Sequence, residues 1–525
     1  MLGFSSTAKK NPQISDKPLS QPLSTSLEEN ISNLKTIFKF CDDIVFRYTE
    51  FNNIPGYLIY LSEMVNNQAL FEIEQRLSDY SNDHEKIGSK ESFITFIRHR
   101  FLISNESELS DLSSIVEQIL SGQLILLVDE MEQAFLFRSA NSAGRNIMEP
   151  STERTVRGPK EGFVENIHTN LMLIRRKLRT PSLKIERMTI GKQTNTQVSI
   201  VYLQGIANEE IVKEVHQRLS RIDIDGILES HYLESMIKDS PKSPFPTVFS
   251  TERPDRVCGS LLDGKVAILV DGTPFVLTVP AMFVEFLHSS EDYYDGSLIA
   301  STIRWVRFLG LFVALILPAF YIGMTTFHQD LLQTPFLIRI AASRETLPYP
   351  VLVEAIFMLI TYELVREAGL RMPKTLGGAI VTILGLVIIG QAAVQAGIVG
   401  SVLAIVVSIT ALTSFILPNY AFHQIIRFCG VPLLILAGLF GFMGLLVGLM
   451  FGLAHLVSLR SFGVPYFSPV SPARKEGWKD VFIRAPWWAM DTRAPGLGID
   501  NIYRADEGNM PKPPVKKKED HDEKK

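Results

Sequence analysis

The chain has 525 residues, and its 52 Lys+Arg against 56 Asp+Glu give a formal net charge of −4. No dense basic stripe precedes its tail, so nucleic-acid binding has no support. Three scattered cysteines (Cys41, Cys258, Cys429), with no CxxC or Cys/His spacing, argue against a disulfide framework or a zinc site and fit a reducing compartment. The average of 46% hydrophobic and 21% charged residues mixes two unlike halves, an ordinary polar front and a block nearly stripped of charge.

In chain order, residues 1–26 are rich in Ser, Pro, Thr and Lys and read as a disordered lead-in. They lack the apolar core of a signal peptide, so the front portion is expected to stay cytoplasmic. Residues 27–120 read as a helical subdomain. Ile31, Leu34, Ile37, Phe38 and Cys41 fall on one stripe, Leu58, Leu61, Met64 and Val65 on another, and Ser26 with Glu29 has the form of a capping box. The period then changes. GQLILLVDEMEQAFLFR (Gly122 to Arg138) has the outline of a hairpin, and GKVAILVDGTPFVLTVP (from Gly264) repeats it. Two such hairpins either pair with one another or mark a duplication. Between them Phe163 to Leu178 and Asn208 to Ile222 read as helices, the latter capped by Asn208, while Ser182 to Ile190 and Gln197 to Leu203 read as strands. Residues 121–303 are thus an α/β soluble domain. It contains neither GxGxxG nor GxxxxGK[ST], and phosphate cradling by a glycine loop is not indicated.

Residues 304–460 hold several runs of nearly uncharged residues, about 18 or more long, the length that crosses ~30 Å of hydrocarbon. They read as a transmembrane helical bundle of about four or five spans. Arg304 and Arg307 at its entry favour a cytoplasmic amino side. Residues 461–500 form a Pro/Trp-rich membrane-proximal segment and residues 501–525 a disordered charged tail, with a preference for the cytoplasmic side. The fold class is therefore α+β: a helical subdomain, an α/β domain and a membrane bundle.

Polar residues inside the apolar block are functional candidates by default. Glu354 stands first, with Thr361 two turns on along the same face; Glu363, the pair Gln391 and Gln395, and the pair Ser401 and Ser408 complete the set. These faces read either as a water-filled path around an axis or as interhelical hydrogen bonding. Gly438, Gly441, Gly444, Gly448 and Gly452 form a small-residue face for close helix packing. No catalytic constellation is apparent, and neither cofactor nor metal is expected.

ERTVRGPKEGFVENIHTNLMLIRRKL, ERPDRVCGSLLDGKVAILVDGTPFVLTVPAMFVEFLHSSEDYY and the block that follows closely resemble the A subunits of GerA-type spore germinant receptors, from about Gly122 to Trp488. The distinctive pieces are Arg157, Gly158, Pro159, Glu161, Gly162 and Phe163 of RGPKEGF, and Asp271, Gly272 and Pro274 of VDGTPF. The resemblance implies a multi-pass protein of the spore inner membrane, bound to a B subunit and a lipoprotein C subunit. It also implies homo-oligomers that form a nutrient-gated cation channel. A non-conducting scaffold and a secondary transporter are the competing readings. Within RGPKEGF, Gly158-Pro159 reads as a turn and Glu161 as a carboxylate near the start of the next helix, complementing its dipole. Arg175, Arg176, Lys177 and Arg179 read as a solvated helix face.

Overall fold

The computed structural model describes residues 21–51, 54–82, 90–101, 108–138, 148–371, 378–494, 496–499, 501–505 and 509–511. Most of the expected lead-in and of the charged tail lies outside the described residues.

The soluble part is built twice. The first unit runs α1 (Leu27–Ile37), β1 (Ile44–Phe51), β2 (Ile54–Leu61), α2 (Asn67–Asn82), α3 (Lys90–Phe101), β3 (Glu108–Leu109), α4 (Leu112–Leu120), β4 (Leu124–Val128) and β5 (Ala134–Phe137). The second runs α5 (Ile167–Lys177), β6 (Leu183–Ile190), β7 (Thr196–Leu203), α6 (Glu209–Ser220), α7 (Ser230–Ile237), β8 (Phe249–Thr251), α8 (Pro254–Leu262), β9 (Val266–Val270) and β10 (Val276–Val279). Element order is the same in both. So is sheet order, β1-β2-β4-β5-β3 in one and β6-β7-β9-β10-β8 in the other, with every neighbouring pair antiparallel.

Polar contacts repeat as well. The Asn30 side chain accepts from Ser24 N–H at 3.0 Å and donates to its carbonyl, as the Asn170 side chain does with Val164 (2.8 Å to the N–H). Asp129 accepts from the Leu27 N–H that opens α1, and Asp271 from the Ile167 N–H that opens α5, both at 3.1 Å. Each carboxylate satisfies an orphan donor and faces the positive end of the helix dipole. The turn residue that follows has positive φ in both units, 59° at Glu130 and 89° at Gly272. Asp129→Ala and Asp271→Ala are expected to cost about the same, about 1–2 kcal/mol each. Thermal unfolding of the full chain checks this, and a large inequality between the two would count against equivalent roles.

The expected helical subdomain is thus an α/β unit, and the boundary placed at 121 cuts through its sheet. Leu58 and Leu61 mimic a helical stripe but lie on opposite faces of β2, where the strand period of two puts Leu58 in one apolar cluster and Leu61 in another. The two hairpins do not pair with one another; each completes its own sheet. Elsewhere the expected strands, helices and the Asn208 cap agree with β6, β7, α5 and α6 to within a few residues.

One large core joins the units, running from Leu34, Ile115 and Ile125 of the first to Leu171, Leu261 and Leu269 of the second. A buried ion pair locks them: Arg175 on α5, 1% exposed, grips Asp43 with Nε at 2.7 Å and Nη2 at 2.9 Å. Arg175 therefore leaves the solvated basic face, while Arg176 and Lys177 remain exposed on it.

The apolar block folds as α9 (Ser297–Thr326), α10 (Thr334–Arg344), α11 (Val351–Arg371), α12 (Gly378–Gln395), α13 (Ser401–Ser414) and α14 (Tyr420–Ser458). Among the described residues two of these helices, α9 and α14, are long and apolar enough to cross a membrane. The second is not straight. Gly441, at φ 60° and ψ −144°, breaks α14 into two arms, a conformation that essentially only glycine adopts. A Cβ on Gly448 of the second arm would meet Leu433 and Leu436 of the first, so the arms fold back on one another. Beyond the helices the chain returns to the soluble module. Ser461 Oγ accepts from Ala281 N–H and donates to the Thr247 carbonyl, and Asn208 donates to the Leu497 carbonyl at 3.0 Å.

Candidate functional site: the joint between the soluble module and the apolar helices

The distinctive sequence pieces converge on one place. Pro254 at the first helical position sets α8, and Arg253 just before it is 1% exposed. Its guanidinium grips Asp255 at 3.0 and 2.8 Å and donates to the Pro159 carbonyl (2.8 Å), the Glu153 carbonyl (3.1 Å) and Thr155 Oγ1 (3.0 Å). One planar donor fork thus holds the whole RGP loop. Gly158, at φ 122°, lies under the Tyr294 ring, where any Cβ would stand 2.6 Å from a ring carbon. The Tyr294 hydroxyl donates to Asp255 at 2.5 Å; burial and then this carboxylate push its pKa up. Gly162 is pressed against the Met148 carbonyl, and Phe163 is buried in the inter-unit core. Arg157 reaches Asp295 at 3.6 Å, and Glu161 pairs with Lys177 at 2.9 Å. The dipole role expected of Glu161 is therefore not met: α5 starts only at Ile167, and Asn166 caps it.

The segment around Tyr294 leads into α9, and here buried charges cluster. Asp292, 2% exposed, accepts from Arg304 Nε at 3.1 Å and Arg307 Nη1 at 2.6 Å. Arg304, with no exposure, donates onward to the Asp480 carbonyl and carboxylate, both at 2.8 Å. Tyr293 donates to the same Asp480 carboxylate at 2.8 Å. Sequence reading took Arg304 and Arg307 only as a topology signal. The acidic run EDYYDGS, about three to four helical turns before them, was the available clue to an ion-pair partner. His288 sits in the same layer with Nε2 3.2 Å from the Val481 carbonyl; burial, reinforced by the nearby arginines, holds its pKa well below the ordinary histidine value. A cavity of about 270 Å³ lies between α8, this segment and the C-terminal strap, the stretch from 461 to 504 that follows α14. An aromatic floor beneath joins soluble and apolar parts, with Phe422 of α14 5.4 Å from Phe283 and 5.6 Å from Phe286, centroid to centroid. Among the described residues no group of three His, Cys, Asp or Glu is arranged to hold a metal ion.

The polar residues of the helices do not gather in one cavity within a single chain. Glu354 is sealed, 1% exposed, accepting from Arg344 at 3.0 Å and from the Gly400 N–H at the start of α13 at 3.1 Å. Glu363 is shared by Arg366 and Arg427, each at 2.8 Å. The Thr361 hydroxyl bonds back to the Phe357 carbonyl, at 2.9 Å, in its own helix. Gln391, Gln395 and Ser401 are exposed on the outside of the bundle and Ser408 is half-buried. Of the glycines, Gly438 abuts Leu352 of α11, Gly441 abuts Phe327 and His328, Gly444 and Gly448 face the other arm of α14, and Gly452 faces open space.

The sequence profile described as "Bacillus/Clostridium GerA spore germination protein" matches residues 32–495. Two Bacillus subtilis proteins are each 40% identical to this chain. They are the uncharacterized membrane protein YfkQ (91% of this chain, 92% of that protein) and spore germination protein KA (94% and 90%). A solved structure, the N-terminal domain of the A subunit of the Bacillus megaterium spore germinant receptor GerK3, is 34% identical over 51% of this chain and 99% of its own, with a TM-score of 0.39.

Proposed function

The chain belongs to the GerA spore germination protein family, and from that premise we propose that it is the A subunit of a spore germinant receptor. In this reading it is a multi-pass protein of the spore inner membrane, with the soluble module on the cytoplasmic side. It assembles with a B subunit, a lipoprotein C subunit and further copies of itself around a nutrient-gated cation path. Because the C-terminal strap packs on the soluble module, both ends lie on one side of the membrane and the number of crossings is even. We read α9, α11, α12, α13 and the two arms of α14 as those crossings. Crossing by α13, at 14 residues, calls for local bilayer thinning.

The observation that carries conduction is the exposure of Gln391 and Gln395 on α12. Amide side chains facing lipid are costly, so this face is assigned to a water-filled axis among copies, with Ser401 beside it. Glu354 then positions the start of α13 and does not line the path. Gln391→Leu with Gln395→Leu is expected to lower cation flux about tenfold or more in liposomes holding the A subunit and its partners, with assembly intact. Undiminished flux in an assembled mutant would remove α12 from the path. The sealed state of Glu354 favours one competing reading, a scaffold that conducts nothing. Liposomes that stay tight with every subunit present would establish it.

A further inference from the structure

A cavity of about 440 Å³ opens between α9, α11, α13 and the first arm of α14. Its two ends differ chemically. At the end nearer the soluble module stand Glu363, Arg366 and Arg427, the arginine side chains only 13% and 12% exposed. Two guanidinium groups thus share Glu363, and Glu367, which also lines the cavity, is taken by Arg371 at 2.8 Å, so three guanidinium groups stand against two carboxylates. About two helical turns deeper, about 10 Å, the walls become Pro318 and Leu434, wholly apolar. Tyr362 also lines this cavity. The residue is 3% exposed, and its sealed hydroxyl has no hydrogen-bond partner among the described residues, a costly state for a buried polar group. The mouth is ringed by Ile360, Leu364 and Val431, exposed by 55%, 67% and 42% on the outer face of the bundle.

We propose that this slot seats an anionic phospholipid, its phosphate on Arg366 and Arg427, its glycerol and first acyl carbons on the apolar floor. The ligand is one phosphate diester carried on hydrocarbon. The surplus guanidinium charge supplies the attraction for the phosphate, and the depth fits a molecule polar at one end only. A lateral mouth among lipid-facing side chains admits a lipid more readily than a solute from water. A bound lipid would tie α11 to α14 on the side where the joint lies. The inference rests on the membrane reading of these helices.

The test uses the full chain, purified in mild detergent and phosphate-free buffer, then given phosphatidylglycerol, phosphatidylcholine or inorganic phosphate. Lipid retained through gel filtration is measured by mass spectrometry, alongside the thermal midpoint. Phosphatidylglycerol is expected to be retained about tenfold better than phosphatidylcholine and to raise the midpoint. Arg427→Gln should abolish that preference. Val431→Trp should block the mouth and lower retention several-fold; it carries the test if Arg427→Gln does not fold. Equal retention of the two lipids would overturn the proposal. So would the same midpoint rise with inorganic phosphate alone, which marks a free-anion site, or a change in oligomer mass without change in retained lipid, which marks a contact between copies. A chain that stays monodisperse without detergent refutes the membrane reading before any lipid is added, so the two failures are distinguishable.

Discussion

Replacing Asp292 by asparagine should unseat the soluble module from the apolar helices. Asp292 is the carboxylate that Arg304 and Arg307 of α9 share, and both cations are nearly or fully buried. Among the described residues, removing its charge leaves Arg307 without an acidic partner and Arg304 with Asp480 alone. Breaking a buried pair costs about 3–5 kcal/mol, because the stranded charge is desolvated with nothing to repay it. The expected result is a thermal midpoint lowered by several degrees or more, with faster proteolysis of the strap that carries Asp480. Asp295→Asn is the control. Its partner Arg157 is 71% exposed and 3.6 Å away, so the loss should stay within about 0.5 kcal/mol. Equal tolerance of the two substitutions would show that the Asp292 cluster does not hold the joint.

The same cluster explains how much of this molecule was legible in advance. Apolar length alone marked the helical block, since no water-soluble helix tolerates such a charge-free surface. Short apolar runs closed by Val-Asp turns marked β4–β5 and β9–β10. The other strands of the first sheet stayed hidden because β2 is buried on both faces, so Leu58, Leu61 and Met64 match a helical stripe as well as a strand. Duplication was visible at one hairpin only. Its other marks, Asn30 with Asn170 and Asp129 with Asp271, are single residues whose meaning lies in backbone groups that sequence does not display. Ion pairs at the joint were invisible for a related reason: Arg304 finds Asp480 across 176 residues, and no periodicity links them. Local propensity is written in neighbouring residues, whereas burial of charge is written in tertiary contacts.

A valine at Gly444 is expected to open the hairpin formed by the arms of α14. The glycine lies so close to the Leu436 carbonyl that an added Cβ would penetrate it, and the obstacle is backbone, which cannot swing aside as a side chain does. Overpacking of this kind costs about 1–3 kcal/mol where side chains can adjust, and more is expected where they cannot. Gly441→Ala should add a second effect, because φ 60° with ψ −144° is a glycine conformation and strain there costs about 1–3 kcal/mol. Either change should lower the yield of monodisperse protein in detergent and expose the Phe327–His328 corner, which now rests on Gly441, to protease. Gly452→Val serves as the reference, since nothing lies within 4 Å of its missing Cβ, and that variant should behave as wild type. If Gly444→Val and Gly452→Val prove equally harmless, the arms do not fold back, and α14 is a single long span that leaves the strap on the opposite side of the membrane from the soluble module. That outcome is incompatible with Ser461 bonded to Thr247 and Ala281, so the one substitution tests both the hairpin and the even number of crossings.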